Sequence, residues 1–164
     1  MALNAFLKLI ASNLGDIKGG TLQKGREGWI EVIAFSHEVL SPRDPASGQA
    51  TGRRQHKPLT ITKELDKSSP LLMQLLISNE SIKNFELRFW TPKNAARVGA
   101  SGAEFNHLTI KLQNAFIIDI KTTMLNNKNP ELVKYKEFEE VSFVYENIEW
   151  VWNETGVSTV DNWV

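Results

Sequence analysis

Residues 59–77 read LTITKELDKSSPLLMQLLI, and this stretch contains both kinds of secondary structure that the chain is expected to use. It begins with Leu59 and Ile61 alternating with threonines, the period-two pattern of a β-strand with one buried face. Ser69 and Pro70 then suit the cap and the first position of a helix, and two turns of apolar residues follow. Asn79 is predicted to end the helix in the left-handed conformation. We therefore predict a strand, a short turn and a helix.

Strand patterns lie on both sides of this stretch. Residues 84–90 alternate most clearly, with Phe85, Leu87 and Phe89 on one face. Residues 29–37 are apolar on both faces, which predicts a strand covered on both sides. The alternation breaks near Asn114, which indicates a bulge or bend. Similar patterns occur at residues 6–10, 108–112, 116–118, 141–145 and 148–152, and a weak helical turn is predicted at residues 130–136.

Six or seven strands with one helix predict a mainly β fold. The expected architecture is a tight antiparallel β-barrel or two-sheet sandwich with one flanking α-helix and a long extended loop. At 164 residues the chain has the length of one domain, so residues 1–164 are expected to fold together.

Composition excludes several classes of function. Lys plus Arg and Asp plus Glu balance at 19 each, so no net charge attracts nucleic acid or an anionic membrane. Cysteine is absent, which removes disulfides and thiolate chemistry. The start of the chain lacks the pattern of a signal peptide, and no apolar segment approaches the ~20 residues that span a bilayer. We expect a cytoplasmic protein that would need a dedicated machine to leave the cell.

Residues 41–57 form a long irregular stretch between two predicted strands, and loops of this length in compact domains are usually functional or disordered. This stretch contains a basic cluster made of Arg53, Arg54, His56 and Lys57. Asp44 partly offsets its charge, and aromatic side chains are not interleaved with it. Contact with protein is therefore favoured over contact with nucleic acid.

The sequence contains no recognisable catalytic constellation. His37, His56 and His107 lie far apart and lack the spacing of metal ligands, so no metal or other cofactor is expected. Catalytic motifs and phosphate-binding loops are also missing, which predicts a protein that is not an enzyme. Trp163 follows the last predicted strand and is expected to dock on its own fold or on a neighbour.

Three segments carry a resemblance to the haemolysin-coregulated protein (Hcp) family of type VI secretion. Residues 62–72, TKELDKSSPLL, match its signature T-K-x-[IL]-D-x-[SA]-[ST]-P-x-L. Residues 28–37, GWIEVIAFSH, resemble its early strand G-x-I-E-V-x-x-[FWQ]-x-[HW], and residues 108–114 with 140–148 resemble its C-terminal strands. The 41–57 loop and the ending Asp161-Asn162-Trp163 are similar to the enterobacterial-type branch.

The resemblance implies a structural tube subunit: six copies close into a ring, and rings stack inside a contractile sheath. Expected partners are further copies of the chain, the spike and sheath proteins, and effector proteins carried in the lumen; it implies neither nucleic-acid binding nor membrane insertion. The protein would be cytoplasmic before firing and then secreted without a signal peptide.

By the same resemblance, Ser36 is the candidate lumen position. The extended loop is expected to contact neighbouring subunits or rings through Ser41, Pro42, Arg43, Asp44, Gly48, Arg53, Arg54 and His56. Two other classes stay open at this point: a small-ligand-binding β-barrel and, less favoured, a basic-loop nucleic-acid module.

Overall fold

The computed structural model describes residues 4–92 and 104–163, which contain thirteen β-strands and one α-helix. In chain order they are β1 (Asn4–Ala11), β2 (Gly15–Ile17), β3 (Ile30–Val32), β4 (Ala34–Ser36), β5 (Val39–Leu40), β6 (Gln55–His56), β7 (Leu59–Glu64), α1 (Ser69–Ser78), β8 (Ile82–Pro92), β9 (Glu104–Gln113), β10 (Phe116–Thr123), β11 (Phe138–Val144), β12 (Asn147–Trp152) and β13 (Val157–Asn162).

Two antiparallel sheets carry most of the strands. The larger has the order β13-β12-β9-β8-β1-β2, and β3 pairs with the other half of the same edge of β1. The smaller has the order β10-β11-β7-β4. The fold is thus mainly β, as predicted, with one helix in the described part of the chain. The sequence predicted either a barrel or a two-sheet sandwich. The pairing of the strands gives separate sheets and does not close one barrel.

The chain passes repeatedly between these sheets, and the crossing after β9 explains the break in the sequence pattern near Asn114. Asn114 has a φ of 48° and lies where β9 of the larger sheet gives way to β10 of the smaller. A bulge within β10 falls between Ile117 and Asp119. The bend predicted near Asn114 is therefore present, and it moves the chain from one sheet to the other.

Residues 29–37 behave differently from the prediction of one strand covered on both sides. β3 and β4 belong to different sheets, and the chain bends between them at Ile33, whose N–H donates to the Thr62 carbonyl at 2.8 Å. Ile30 and Val32 are buried, whereas Ile33 is 55% exposed and Phe35 is 36% exposed. The second apolar face is therefore open to solvent in the isolated chain.

Side chains from the two sheets meet in a filled core. Phe85 of β8 and Phe143 of β11 pack edge to face with their ring centroids 4.9 Å apart, and both are fully buried. Leu72 and Leu75 of α1 join this core, and Leu76 packs against it. Packing of large rings between the sheets leaves the interior occupied by side chains.

The helix follows the sequence prediction with one change at its start. Ser68 occupies the N-cap position instead of Ser69, and Pro70 lies in the first turn. Asn79 ends the helix in the left-handed conformation (φ 50°, ψ 42°). The amide of Asn79 donates to Leu76, and that of Glu80 donates to Leu75, which satisfies two terminal carbonyls.

The weak helical turn predicted at residues 130–136 corresponds to hydrogen-bonded turns, in which the Val133 amide donates to the Asn129 carbonyl at 3.2 Å. One further prediction is wrong: residues 157–162, which lie beyond the last strand predicted from the sequence, form β13, which pairs with β12 along six residues of each strand. Within the described residues, no helix is long and apolar enough to cross a membrane.

Candidate assembly surface

Residues 41–57, together with β5 directly before them, form a two-stranded arm. β5 and β6 pair at its base, and farther out an isolated bridge joins Arg43 and Ala50. The amide of Thr51 donates to the Pro42 carbonyl at 3.0 Å. The extended loop predicted from the sequence is therefore a ribbon held by backbone hydrogen bonds.

The tip of the arm is closed by one carboxylate. Oδ1 of Asp44 accepts hydrogen bonds from the amides of Ser47 at 2.8 Å and Ala46 at 2.7 Å. These two amides hold the pKa of Asp44 below its ordinary value. Gly48 has a φ of +71°, which a side chain rarely adopts, and its carbonyl accepts from the Arg43 guanidinium at 3.2 Å. The tip therefore has a defined shape although it is exposed.

The predicted contact residues divide by exposure. Seven lie along the arm with partly or fully exposed side chains or backbone, whereas His56 is buried with 7% of its surface exposed. The exposed seven are Ser41, Pro42, Arg43, Asp44, Gly48, Arg53 and Arg54. His56 is thus available for contacts within the chain, and the other seven form the accessible surface of the arm.

Asp161 of β13 anchors the base of the arm. Its carboxylate accepts two hydrogen bonds from the Arg54 guanidinium, at 2.8 and 2.7 Å, and lies 3.0 Å from Nε2 of His56. The bonds from Arg54 hold the pKa of Asp161 well below its usual range, despite partial burial. A two-bond guanidinium–carboxylate pair fixes orientation as well as distance. The two-bond ion pair between Arg54 and Asp161 therefore attaches the arm to β13.

Tyr145 links the two histidines that the sequence keeps apart. Its hydroxyl lies 2.7 Å from Nε2 of His37 and 2.8 Å from Nδ1 of His56. Burial raises the pKa of Tyr145, and the nearby charge of Asp161 adds to this. Burial, and then His56, lower the pKa of His37. Spacing in the sequence contains no signal for this arrangement, because the contacts depend on how β13 and the arm meet.

Trp163 covers this polar chain. Its ring packs against Tyr145 with centroids 5.0 Å apart and against His56 at 5.8 Å. Its backbone amide donates to the Glu146 carbonyl at 2.9 Å. Docking of Trp163 on its own fold, one of the two alternatives expected from the sequence, is the arrangement observed.

Ser36 lies on the outer face of the smaller sheet. It is exposed in β4 and pairs in register with Thr60, which pairs with Ser142, and Ser142 pairs with Asp119. The Thr60 and Ser142 hydroxyls are 2.8 Å apart. This row of short polar side chains makes the face around Ser36 hydrophilic.

The segment that carries the sequence signature encloses a buried lysine. Lys63 at the end of β7 has no exposed surface, and its ammonium lies 2.7 Å from Glu139, 3.1 Å from Asp66 and 3.0 Å from the Ser69 hydroxyl. The Ser68 amide donates to Asp66 at 2.8 Å. A strand, a turn and a helix start are thus joined by one charged group.

A match to a protein-family model covers residues 6–152, and that family is described as "Type VI secretion system effector, Hcp". The match includes the signature segment and most of both sheets. The chain belongs to the Hcp family.

Relatives within the family extend along the whole chain. The "Major exported protein" of Pseudomonas aeruginosa is 37% identical over 99% of this chain and 96% of its own length. A crystal structure of an Hcp protein superposes with a TM-score of 0.88 at 30% identity, covering 99% of each chain. The secreted protein Hcp3 of Pseudomonas aeruginosa gives a TM-score of 0.79 at 30% identity, again covering 99% of each chain. The superpositions on Hcp structures thus extend over both sheets and the arm.

Proposed function

We propose that this Hcp-family chain is a structural subunit of the type VI inner tube, without catalytic activity. The chain folds as a single domain over residues 1–164, closes with five further copies into a hexameric ring, and contributes to a stack of rings. Rings form in the cytoplasm and are exported by the secretion machine with spike, sheath and effector proteins as partners. Family membership along nearly the whole chain is the observation that carries this proposal.

Two features of the surface support assembly. Ile33 and Phe35 each expose part of an apolar side chain to solvent, and burial of such surface favours association. The arm offers a different, polar surface, with exposed guanidinium groups at Arg43, Arg53 and Arg54. A cyclic ring needs two different complementary patches on each subunit, and these surfaces differ in the required way.

Solution mass tests the proposal directly. Light scattering on the purified chain is expected to give six times the 18.5 kDa of one subunit. A strictly monomeric protein at high concentration would contradict the ring and favour the ligand-binding alternative. The filled core around Phe85 and Phe143 supports the ring over that alternative, because an occupied interior offers a ligand no space.

Effector carriage is tested at the candidate lumen face. Ser36→Gln enlarges an exposed side chain on the hydrophilic face of the smaller sheet, and the proposal expects rings of unchanged mass that retain less effector. Co-purification of effector with rings provides the measurement. Altered ring formation with unchanged retention would count against a lumen position for Ser36.

A further inference from the structure

A continuous chain of hydrogen bonds joins the base of the arm to the C-terminal strand. It runs from Nε2 of His37 to the Tyr145 hydroxyl at 2.7 Å, on to Nδ1 of His56 at 2.8 Å, and from Nε2 of His56 to Asp161 at 3.0 Å. Arg54 completes it with two bonds to Asp161. We call these five residues the arm latch.

The latch has enough acceptors for its hydrogens only when at least one histidine is neutral. Asp161 is ionised and accepts, so Nε2 of His56 carries a hydrogen. With His56 neutral, its Nδ1 accepts the single hydrogen of Tyr145, and Tyr145 in turn accepts from Nε2 of His37. With His56 charged, Tyr145 turns its hydrogen toward a neutral His37. In both arrangements each hydrogen bond of the chain joins one donor to one acceptor.

A second proton breaks this pattern. When His37 and His56 are both charged, each directs an N–H at the same Tyr145 oxygen, and the hydrogen of Tyr145 has no acceptor left in the chain. Two positive charges then flank one buried hydroxyl. The opposing negative charge is that of Asp161, which Arg54 already neutralises. Buried unsatisfied groups and unpaired charges are costly, so the doubly charged latch is unstable.

The surroundings contribute little further charge to the two rings. Tyr145 and the aromatic rings of Trp150 and Trp163 pack against the histidines, at 6.0 Å for Trp150 and His37. The charged side chain of β12, Glu149, faces Lys111 at 4.0 Å. Glu38 and Lys57 beside the latch are exposed, and Glu146 accepts a bond from Asn114 instead.

We propose that the arm latch is a pH-sensitive attachment: near neutral pH it holds the base of the arm against β13, and acidification releases the arm. The lowered pKa of His37 agrees in sign, because the attached state binds fewer protons than the released state once the pH falls below the ordinary value of 6.5. For one proton taken up on release, the released population rises by up to about tenfold per pH unit. Any effect of release on rings rests on the proposed function, whereas release itself does not.

The absence of cysteine allows the arm to be labelled at one site. A spin label on Ala46→Cys, at the exposed arm tip, reports arm mobility by electron paramagnetic resonance between about pH 8 and about pH 5. A second label on Lys83→Cys, exposed on β8, serves as the reference. We expect acid to increase mobility at the arm tip and leave the β8 label unchanged. Equal spectra at the tip across this range would overturn the proposal.

Three variants test whether the acid-induced mobility arises from the latch or from other titratable groups. His37→Gln keeps an N–H donor near the position of Nε2 but cannot take up a proton, so the acid-induced mobility should disappear. His107→Gln is the matched control, because this third histidine packs among Phe105 and Trp152 outside the latch, and the transition should persist. Tyr145→Phe removes the central oxygen and keeps the ring, so the arm should be more mobile near neutral pH than in the unsubstituted chain, although the Arg54–Asp161 pair remains.

The outcomes distinguish the latch from ring formation. Persistence of the acid transition in His37→Gln, or its loss in His107→Gln, contradicts the latch. Light scattering on the same samples reports assembly separately. Rings without an acid-dependent arm refute the latch alone, and an acid-dependent arm on a strict monomer refutes the proposed function alone.

Discussion

Lys63 shows how one charged residue stabilises the segment by which the family is recognised. It has no exposed surface and lies between Glu139 and Asp66, with a further bond to Ser69. A buried ion pair adds little over an apolar pair of the same shape, but removal of one partner leaves the other charged and unpaired. We therefore expect the lysine to stabilise the contacts between the strand, the turn and the helix start.

Substitution of Lys63 alone is expected to be strongly destabilising. Lys63→Met leaves Glu139 buried without a cation, at a cost of about 3–5 kcal/mol in the free energy of unfolding. The matched control is Lys111→Met, which breaks an exposed 4.0 Å pair with Glu149 and should change stability by less than about 0.5 kcal/mol. Urea unfolding measures both. Equal losses would refute the role of Lys63, and Lys63→Met with Glu139→Leu should recover much of its loss.

Asp66 makes stability depend on pH. Burial opposes its ionisation, but hydrogen bonds from Ser68 and the charge of Lys63 outweigh it and hold the pKa of Asp66 below 3.8. The folded state therefore binds fewer protons, so this contribution is complete above pH 3.8 and is lost as the pH falls through the lowered value. Asp66→Asn should flatten the acid side of the stability profile. A profile as steep as that of the unsubstituted chain would contradict this.

At the scale of elements, short-range rules predicted the helix well. Pro70 and Asn79 act within one turn of chain, so their effects can be read without tertiary contacts. The exposure of residues 29–37 and the strand formed by residues 157–162 were not predicted correctly, because exposure and strand pairing depend on residues far away in the sequence. Pairing of β13 with β12 could not be inferred from the weak apolar pattern of Val157–Asn162.

The helix terminator gives a sharp element-scale prediction. Asn79→Val places a β-branched residue in the left-handed conformation and should lower the free energy of unfolding by about 1–2 kcal/mol. Asn79→Gly is the matched control, because glycine adopts this conformation without strain. Urea unfolding again provides the measurement. Similar stability of the two variants would show that the left-handed terminator is unimportant.

The arm tip gives a second prediction at this scale. Replacing residues 43–50 with Asn-Gly connects Pro42 to Thr51, whose amide already donates to the Pro42 carbonyl, and leaves the Arg54–Asp161 anchor intact. We expect an unchanged unfolding midpoint but weaker assembly by light scattering. Lys83→Ala, on exposed β8, is the control for a surface change elsewhere. If the shortened chain assembles fully, the arm is not part of the contact surface between subunits.

At the scale of the whole molecule, we expect the apolar side chains exposed at Ile33 and Phe35 to contribute to the proposed assembly. Ile33→Ser should leave folding stability nearly unchanged, because Ile33 is 55% exposed, and should reduce the ring population seen by light scattering. Ile77→Ser is the matched control on α1, where Ile77 is 79% exposed. If Ile77→Ser weakens rings and Ile33→Ser does not, the subunit contact lies on the helix side instead.

The sequence by itself determined the β-rich class, the helix with its left-handed end, and the family, because alternation, capping and the residue 62–72 signature are local properties of the chain. Tertiary structure decided that His37 and His56 share Tyr145, that Asp161 anchors the arm, and that Lys63 is buried. These contacts join residues up to 108 positions apart. Their geometry arises only when the crossing strands bring distant segments together, so no local pattern records it.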